Sequence, residues 1–360
     1  MVQLRLIWLI WLASLFFSSP SFAVKRTKFQ HWFPEYEQRW TKAVNGPCQQ
    51  KVTNYILNDR TNCSAPCACA ADCILQNTTA SMQSQFALAQ VLLGLVPVIL
   101  AFIGPTIAEV AVLSTYRPVL AILLGIGSPA VNILRAVKNV DVREPLEGSQ
   151  SAISQAWSKW LANQTVAAQL CMKTVTYLLA LGAVYNNIRT SIYTDLRIIS
   201  GWRCGAVYMP LAWSMLAVIV HGWGMIAIRV RLGTLSLPSL KSAMQSDAFK
   251  LISTTEDNSI SEALFWVASV CAVVHMTYGV LVLSSLIFIG ALEALQVLVL
   301  YAVSAVVCQF ILLSEIATMK NDLLENPVTS GTTGQTRVPK TSQTSPRDAF
   351  RNELIRPHSL

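Results

Sequence analysis

Long apolar runs separated by polar stretches dominate the chain from residue 86 to residue 313. Five runs are long enough to cross about 30 Å of hydrocarbon, because a helix rises about 1.5 Å per residue. These runs cover residues 86–104, 169–185, 207–228, 264–288 and 291–313. The pattern predicts an all-α, polytopic integral membrane protein whose helix bundle occupies residues 86–314.

A sixth apolar run, VLAILLGIGSPAV at residues 119–131, is shorter and is interrupted by Gly125, Gly127, Ser128 and Pro129. A run of this length is too short for a full span and suits a segment that enters the bilayer and turns back, or one that lies at its surface. We therefore expect five spans and one re-entrant or interfacial segment.

The distribution of Lys and Arg supports five spans over six. With the amino-terminal head outside and five spans, residues 105–167, 229–263 and 315–360 face the cytosol and carry fifteen Lys and Arg. The outer loop at residues 186–206 carries three, and a six-span arrangement would leave only about four in the cytosol. Lys and Arg in short loops favour the cytoplasmic side, so the tail is predicted to be cytosolic.

The first residues have the layout of a secretory signal peptide. Arg5 precedes the apolar run LIWLIWLASLFF, and the small residues Ser21 and Ala23 mark a cleavage site. Residues 1–23 are read as the signal peptide, the alternative being an uncleaved signal anchor. In both cases residues 24–85 form a head on the lumenal or extracellular side, and the protein reaches the plasma membrane or an endomembrane through the secretory pathway.

Composition fits this class of protein. The chain has 360 residues and only 13% are charged, against about 25% in soluble proteins. The net charge is +8, but the chain contains no cluster of basic residues with interleaved aromatic residues. Nucleic acid is therefore not an expected partner. The lipid bilayer is the expected partner, and the excess charge serves to orient the chain.

The predicted head is rich in cysteine. Its five cysteines are Cys48, Cys63, Cys67, Cys69 and Cys73. Closely spaced cysteines on the oxidising side of a membrane indicate disulfides. Cys204, in the outer loop, makes the number even, so we predict that it bonds to a head cysteine and fastens the head to the bundle. Fifteen pairings remain open.

Two alternatives for these cysteines stay open. Cys204 is free in one of them, and the odd head cysteine pairs with another molecule. The other is a zinc site in the stretch CSAPCACAADC, which is disfavoured because the C-x2-C spacing is absent and His31 is the only histidine nearby. Cys171, Cys271 and Cys308 fall within spans, where they are read as small packing residues.

Two N-x-[ST] sequons lie in the head, at Asn62 and Asn77, and we expect these asparagines to be glycosylated. A third sequon, at Asn163, falls in the predicted cytosolic region and should carry no sugar.

Ionisable residues within the apolar segments are candidates for function, because a charge in a bilayer is costly. They are Glu109, Lys173, His221 and His275. Lys173 either extends to the membrane surface or pairs with Glu109. The two histidines lie at comparable depths, and could relay protons or hold a metal ion, although neutral histidines bonded to neighbouring groups are the favoured reading. Other polar residues within the predicted spans are few, which argues against a wide aqueous pore.

The remaining sequence is simple. Residues 315–360 form a predicted cytosolic tail, disordered because the stretch from Asn326 is too polar to build a core. No G-x-S-x-G, H-E-x-x-H or phosphate-binding glycine motif occurs in a credible context, so no enzyme activity, cofactor or metal is predicted.

The stretch LLGLVPVILAFIGPTIAEVAVLSTYRPVLAILLGIGSPAVN, residues 92–132, resembles a segment of multi-span membrane proteins of filamentous fungi. The shared features are a Gly-x-x-Pro, a Glu, an Arg-Pro pair and a Gly-Ser-Pro-Ala turn. The resemblance implies a signal peptide and a cysteine-bearing head, and no established activity.

Two functions are compatible with these patterns. The favoured one is a noncatalytic surface receptor, sensor or scaffold, whose head meets an extracellular ligand and whose tail meets a cytosolic protein. The alternative is a transporter or channel for a small solute or ion that uses Glu109, Lys173, His221 and His275.

Overall fold

The structure is a computed structural model that describes residues 27–132, 156, 160, 163–232 and 259–325, with side chains up to residue 320. The predicted signal peptide and the tail beyond residue 325 lie outside the described residues. Ten helices and two short strands make up the described part.

Three short helices build the head: α1 (Glu37–Asn45), α2 (Gln49–Leu57) and α3 (Pro66–Gln76). Two disulfides lie within the head: Cys48, just before α2, is bonded to Cys73 of α3, and Cys63, just before α3, is bonded to Cys69 of α3. The head core is a group of buried aromatic rings that includes two rings from outside the head. Its members are Phe29, Trp32, Tyr36, Trp40, Tyr55, Phe86 and Phe288.

Seven helices and both strands follow. They are α4 (Ala80–Ile103), α5 (Ile107–Tyr116), α6 (Pro118–Gly127), α7 (Val166–Arg197), β1 (Ile199–Ser200), α8 (Met209–Arg231), α9 (Ser259–Ser284), β2 (Leu286–Ile287) and α10 (Ala291–Glu325). Helices α4, α7, α8, α9 and α10 are long and apolar enough to cross a membrane. The structure thus confirms a helical membrane protein with five candidate spans and an additional short apolar segment.

The head covers one end of the bundle, which we call the head end. Phe86 near the start of α4 and Phe288 just before α10 belong to the head core, and β1 after α7 pairs antiparallel with β2 after α9. The opposite end, where α7 begins and α8 ends, is called the far end.

Two helices are longer than the sequence pattern indicated. The predicted span 169–185 is part of α7, which continues to Arg197 through half of the predicted outer loop 186–206. The last helix continues from the predicted span 291–313 to Glu325, past the predicted start of the tail at residue 315. Hydropathy underestimates both helices because their ends carry polar residues.

The sequence pattern assigned no element to residues 107–116, which belong to the stretch 105–167 that it placed on the cytosolic side. In the structure they form helix α5, whose face toward α8 and α10 is buried. Helix α6 corresponds to the predicted re-entrant segment 119–131 and packs against α5, α7 and α8. Pro118 occupies the first turn of α6, where a missing N–H has no cost.

The head is fastened to the bundle covalently as well as by packing. Cys67 of α3 is bonded to Cys204, in the segment between β1 and α8. This is the type of bond that the cysteine count predicted, and the structure selects Cys67 as the partner. Trp40 of α1 contacts Phe288, with ring centroids 5.2 Å apart.

Candidate functional site at the helix break

The chain is interrupted inside the bundle between α4 and α5. Helix α4 ends at Ile103, and Gly104, Pro105 and Thr106 lead into α5. After α6 the chain returns to the same place, because the backbone N–H of Asn132 donates to the Pro105 carbonyl at 3.1 Å. We call residues 104–106 and 128–132 the central break. Non-helical backbone at membrane depth is found where protein or a cavity surrounds it.

A capping box forms the start of α5. The Thr106 hydroxyl accepts from the Glu109 N–H, and the Glu109 carboxylate accepts from the Thr106 N–H, both at 3.1 Å. The pattern Thr-x-x-Glu is a sequence signature of a helix start, and would have indicated the break. Glu109 therefore holds the helix end and is not a free charge within the bundle.

The end of α6 approaches both intramembrane histidines. The Pro129 carbonyl lies 3.1 Å from Nε2 of His275 on α9. A Cβ added to Gly125 would lie 3.6 Å from Cβ of His221, which is about halfway along α8. His221 is fully buried, and neither of its ring nitrogens has a hydrogen-bond partner in the described part of the chain. The expectation of a neutral histidine bonded to its neighbours fits His275 and does not fit His221.

A polar face on α7 leads from the central break to the head end. Asn187, Thr190, Ser191, Thr194 and Asp195 are spaced i, i+3, i+4, i+7 and i+8, and all of them are buried. We call these five residues the polar face of α7. They were missed because the stretch was read as a loop, although its helical spacing is visible in the sequence.

Hydrogen bonds tie the polar face of α7 to the other helices. Asn187 donates to the Ile126 carbonyl of α6 at 2.8 Å. The Ser191 hydroxyl lies 3.0 Å from that of Tyr301 on α10 and 3.4 Å from that of Ser214 on α8. The side-chain oxygens Asn187 Oδ1 and Thr194 Oγ1 are buried and have no hydrogen-bond partner among the described residues. The centre of the bundle is therefore more polar than hydropathy indicated.

A buried ion pair closes the polar face at the head end. Lys28 Nζ lies 3.1 Å from the Asp195 carboxylate and donates to the Asp195 carbonyl at 2.6 Å. Both side chains are about 2% exposed. Burial lowers the pKa of Lys28, and the charge of Asp195 and the hydrogen bond to it oppose this shift.

A second ion pair lies toward the far end. Arg117, between α5 and α6, donates to Glu315 on α10 at 2.8 Å. It joins the turn between the two short helices to the longest helix of the bundle, so the α5–α6 unit is held at its tip.

The other candidate residues lie elsewhere. Lys173 is exposed, about 21 Å along α7 from Asn187, so it does not belong to the central break. Asn62 and Asn77 are both exposed in the head, and the Asn77 side-chain amide donates to the Cys73 carbonyl at 2.8 Å. No group of three potential metal ligands occurs among the described residues.

Comparison of the chain with protein-family models, with curated proteins and with solved structures finds no match.

Proposed function

We propose that this protein is a membrane transport protein that moves a small ion through the middle of its helix bundle. The observation that carries the proposal is the central break beside His221, a fully buried imidazole without a hydrogen-bond partner in the described residues. Discontinuous helices at the bilayer midplane are where transporters bind their substrates and coupling ions. An ionisable side chain kept there at an energetic cost supports function over packing.

The polar face of α7 supports the same proposal. It provides hydroxyl and amide groups between the central break and the head end. These groups favour the passage of an ion, which a purely apolar core would oppose. In the proposed orientation the head faces the lumen or the exterior and the carboxyl-terminal tail faces the cytosol, in accordance with the distribution of Lys and Arg.

Ion flux in liposomes tests the proposal. The full-length protein is reconstituted, and entrapped fluorescent indicators report the entry of H⁺, Na⁺ and K⁺. We expect flux of one of these ions above that of protein-free liposomes. Gly125→Leu should reduce it, because an added Cβ already contacts the His221 side chain at 3.6 Å and the longer leucine side chain would displace the imidazole.

Gly182→Leu is the matched control for this experiment. Gly182 lies on α7 with nothing within 4 Å of an added Cβ, so the same substitution should leave the flux unchanged. Absence of flux for all three ions, from protein that is monodisperse and correctly disulfide-bonded, would overturn the proposal.

The second candidate is a surface receptor or scaffold, and the attachment of the head favours it. The bond Cys67–Cys204 connects the head to the segment before α8, and the pair Lys28–Asp195 connects it to the polar face of α7. A ligand that moves the head would therefore move the bundle. Binding of a ligand to the head without any ion flux would support this candidate over transport.

A further inference from the structure

The central break is closely packed. A Cβ added to Gly127 would lie 3.0 Å from Cys308 Sγ, and one added to Gly104 would lie 3.0 Å from the Ala130 carbonyl oxygen. On α8, a Cβ at Gly224 would lie 2.5 Å from a methyl group of Ile107. At each of these positions a single additional carbon requires a neighbour to move. A hydrated Na⁺ or K⁺ needs more space than one carbon atom, whereas a proton needs none.

The two groups beside the break are suited to protons. An imidazole accepts a proton on one ring nitrogen and releases the proton of the other, so only N–H bonds form and break. His221 has both nitrogens without a hydrogen-bond partner in the described part, and His275 has one nitrogen at the Pro129 carbonyl and the other without a partner there. Both rings thus retain a nitrogen that is available to exchange a proton.

From these observations, and resting on the proposed transport function, we propose that the transported ion is the proton and that His221 and His275 carry it past the central break. A proton that enters from one side binds one imidazole, and the resulting imidazolium gives up a proton toward the other side. Each histidine returns to its neutral form, and no other reactant is consumed.

The ring of His275 stacks on that of Trp213 on α8, with ring centroids 5.7 Å apart. The next residue, Ser214, lies in a group of buried hydroxyls with Ser191 and Tyr301. In the proposed path, protons pass between the histidines and the head end through these hydroxyls and then the Lys28–Asp195 pair.

Besides His275, the titratable groups on the helices that pack against α8 include Glu109 and Tyr116 on α5 and Glu262, Cys271 and Tyr278 on α9. Those on α7 are Cys171, Lys173, Tyr177, Tyr185, Arg189, Tyr193, Asp195 and Arg197. Helices α4 and α6 contribute none.

Proton flux and its dependence on the histidines test this inference. Liposomes containing the full-length protein, entrapped pyranine and K⁺ are diluted into K⁺-free buffer, and valinomycin then sets an inside-negative potential. We expect protein-dependent acidification of the interior. His221→Gln should slow its initial rate by about 100-fold or more, the size of a typical proton-transfer contribution, and His275→Gln should also slow it.

His31→Gln is the matched control, because His31 is exposed in the head and should have no effect. Non-reducing peptide mapping of Cys67–Cys204 verifies that each variant is folded. Unchanged proton flux in folded His221→Gln would overturn the inference. Flux of Na⁺ or K⁺ without proton flux would also overturn it and leave the transport proposal intact, whereas no flux of any ion would reject the transport proposal itself.

Discussion

The imidazole of His221 lowers the stability of the folded protein. It is fully buried beside Gly125, and its two nitrogens lack hydrogen-bond partners within the described residues. A buried polar group without a partner costs about 1–3 kcal/mol. Residues that lower stability in this way are characteristic of functional sites, where activity is retained at the expense of stability.

We therefore expect His221→Leu to stabilise the protein. The leucine side chain is apolar and similar in size, so the free energy of unfolding should rise by about 1–3 kcal/mol. Unfolding in mixed detergent and SDS measures this change, and His275→Leu, which removes a bonded ring, should not show the gain. A loss of stability in His221→Leu would show that the imidazole has a structural role.

Replacing a residue of the Lys28–Asp195 pair should have the opposite effect on stability to replacing His221, because each buried charge is neutralised by the other. Lys28→Met leaves the Asp195 carboxylate buried without its counter-ion and should cost about 3–5 kcal/mol. The double variant Lys28→Met/Asp195→Leu should recover part of this loss, since an apolar pair replaces the ion pair. The same unfolding assay measures the four members of the cycle, and strictly additive losses would contradict the coupling.

At the residue scale, the sequence allowed some of the site to be predicted. The two histidines stand out because ionisable residues are rare in apolar segments. The polar face of α7 could not be predicted in this way. A hydropathy window records mean composition, so it cannot distinguish polar residues on one buried face of a helix from a loop. Asn187 and Ser191 were assigned to a loop for this reason.

At the scale of elements, α6 is positioned by the absence of side chains. Gly127 allows α6 to approach Cys308 of α10 and Ala183 of α7. Gly125, two residues earlier, lies at ordinary contact distance from His221. The two glycines therefore respond differently to the same substitution.

Gly127→Ala should destabilise the protein by about 1–3 kcal/mol, because the added methyl group forces neighbouring helices apart. Gly125→Ala should be neutral or stabilising by up to about 1 kcal/mol, because alanine favours the helix and its methyl group meets His221 only at ordinary contact distance. Thermal unfolding in detergent compares the two variants. Equal effects would contradict the packing described for α6.

The short helices could be predicted only in part. Gly, Ser and Pro in residues 119–131 indicate an interrupted segment, which α6 represents. Helix α5 was not predicted as an element, because the five-span arrangement placed the whole stretch 105–167 on the cytosolic side. Its place in the bundle depends on contacts with α8 and α10, which are distant in sequence, and on the capping box at Thr106.

At the scale of the whole molecule, the head and the bundle form one connected structure. The disulfide Cys67–Cys204 joins residues 137 positions apart, whereas Cys63–Cys69 spans six. An even number of cysteines on one side of the membrane was enough to predict a bond to Cys204. Its partner could not be predicted, because the choice among the head cysteines depends on how α3 packs.

Removal of the long-range disulfide should cost more than removal of the local one. On the chain-entropy model, Cys67→Ser/Cys204→Ser loses up to about 5 kcal/mol and Cys63→Ser/Cys69→Ser about 2 kcal/mol. Both double variants avoid leaving an unpaired thiol, so they are matched controls for each other. A larger loss in the Cys63/Cys69 variant would contradict a role for the long-range bond in fastening the head.

The proposed orientation makes a separate prediction about sugar attachment. After expression in a eukaryotic secretory pathway, Asn62 should be glycosylated because it is exposed on the head, and Asn163 should not be. Asn77 should be modified to a lesser extent, because its side-chain amide nitrogen donates to the Cys73 carbonyl. Mass spectrometry of the peptides before and after glycosidase treatment measures this, and a sugar on Asn163 would reverse the assignment of the sides.

The pairing of the six head-side cysteines also dictates an order of events during synthesis. Cys67 lies between Cys63 and Cys69 in the chain, yet its partner is made only after α7 has been translated. The two local bonds can close while the ribosome is still producing the bundle, but Cys67 can meet its final partner only after the chain has crossed the bilayer twice. A disulfide formed earlier between Cys67 and another head cysteine would have to be reversed by thiol–disulfide exchange before Cys67 pairs with Cys204.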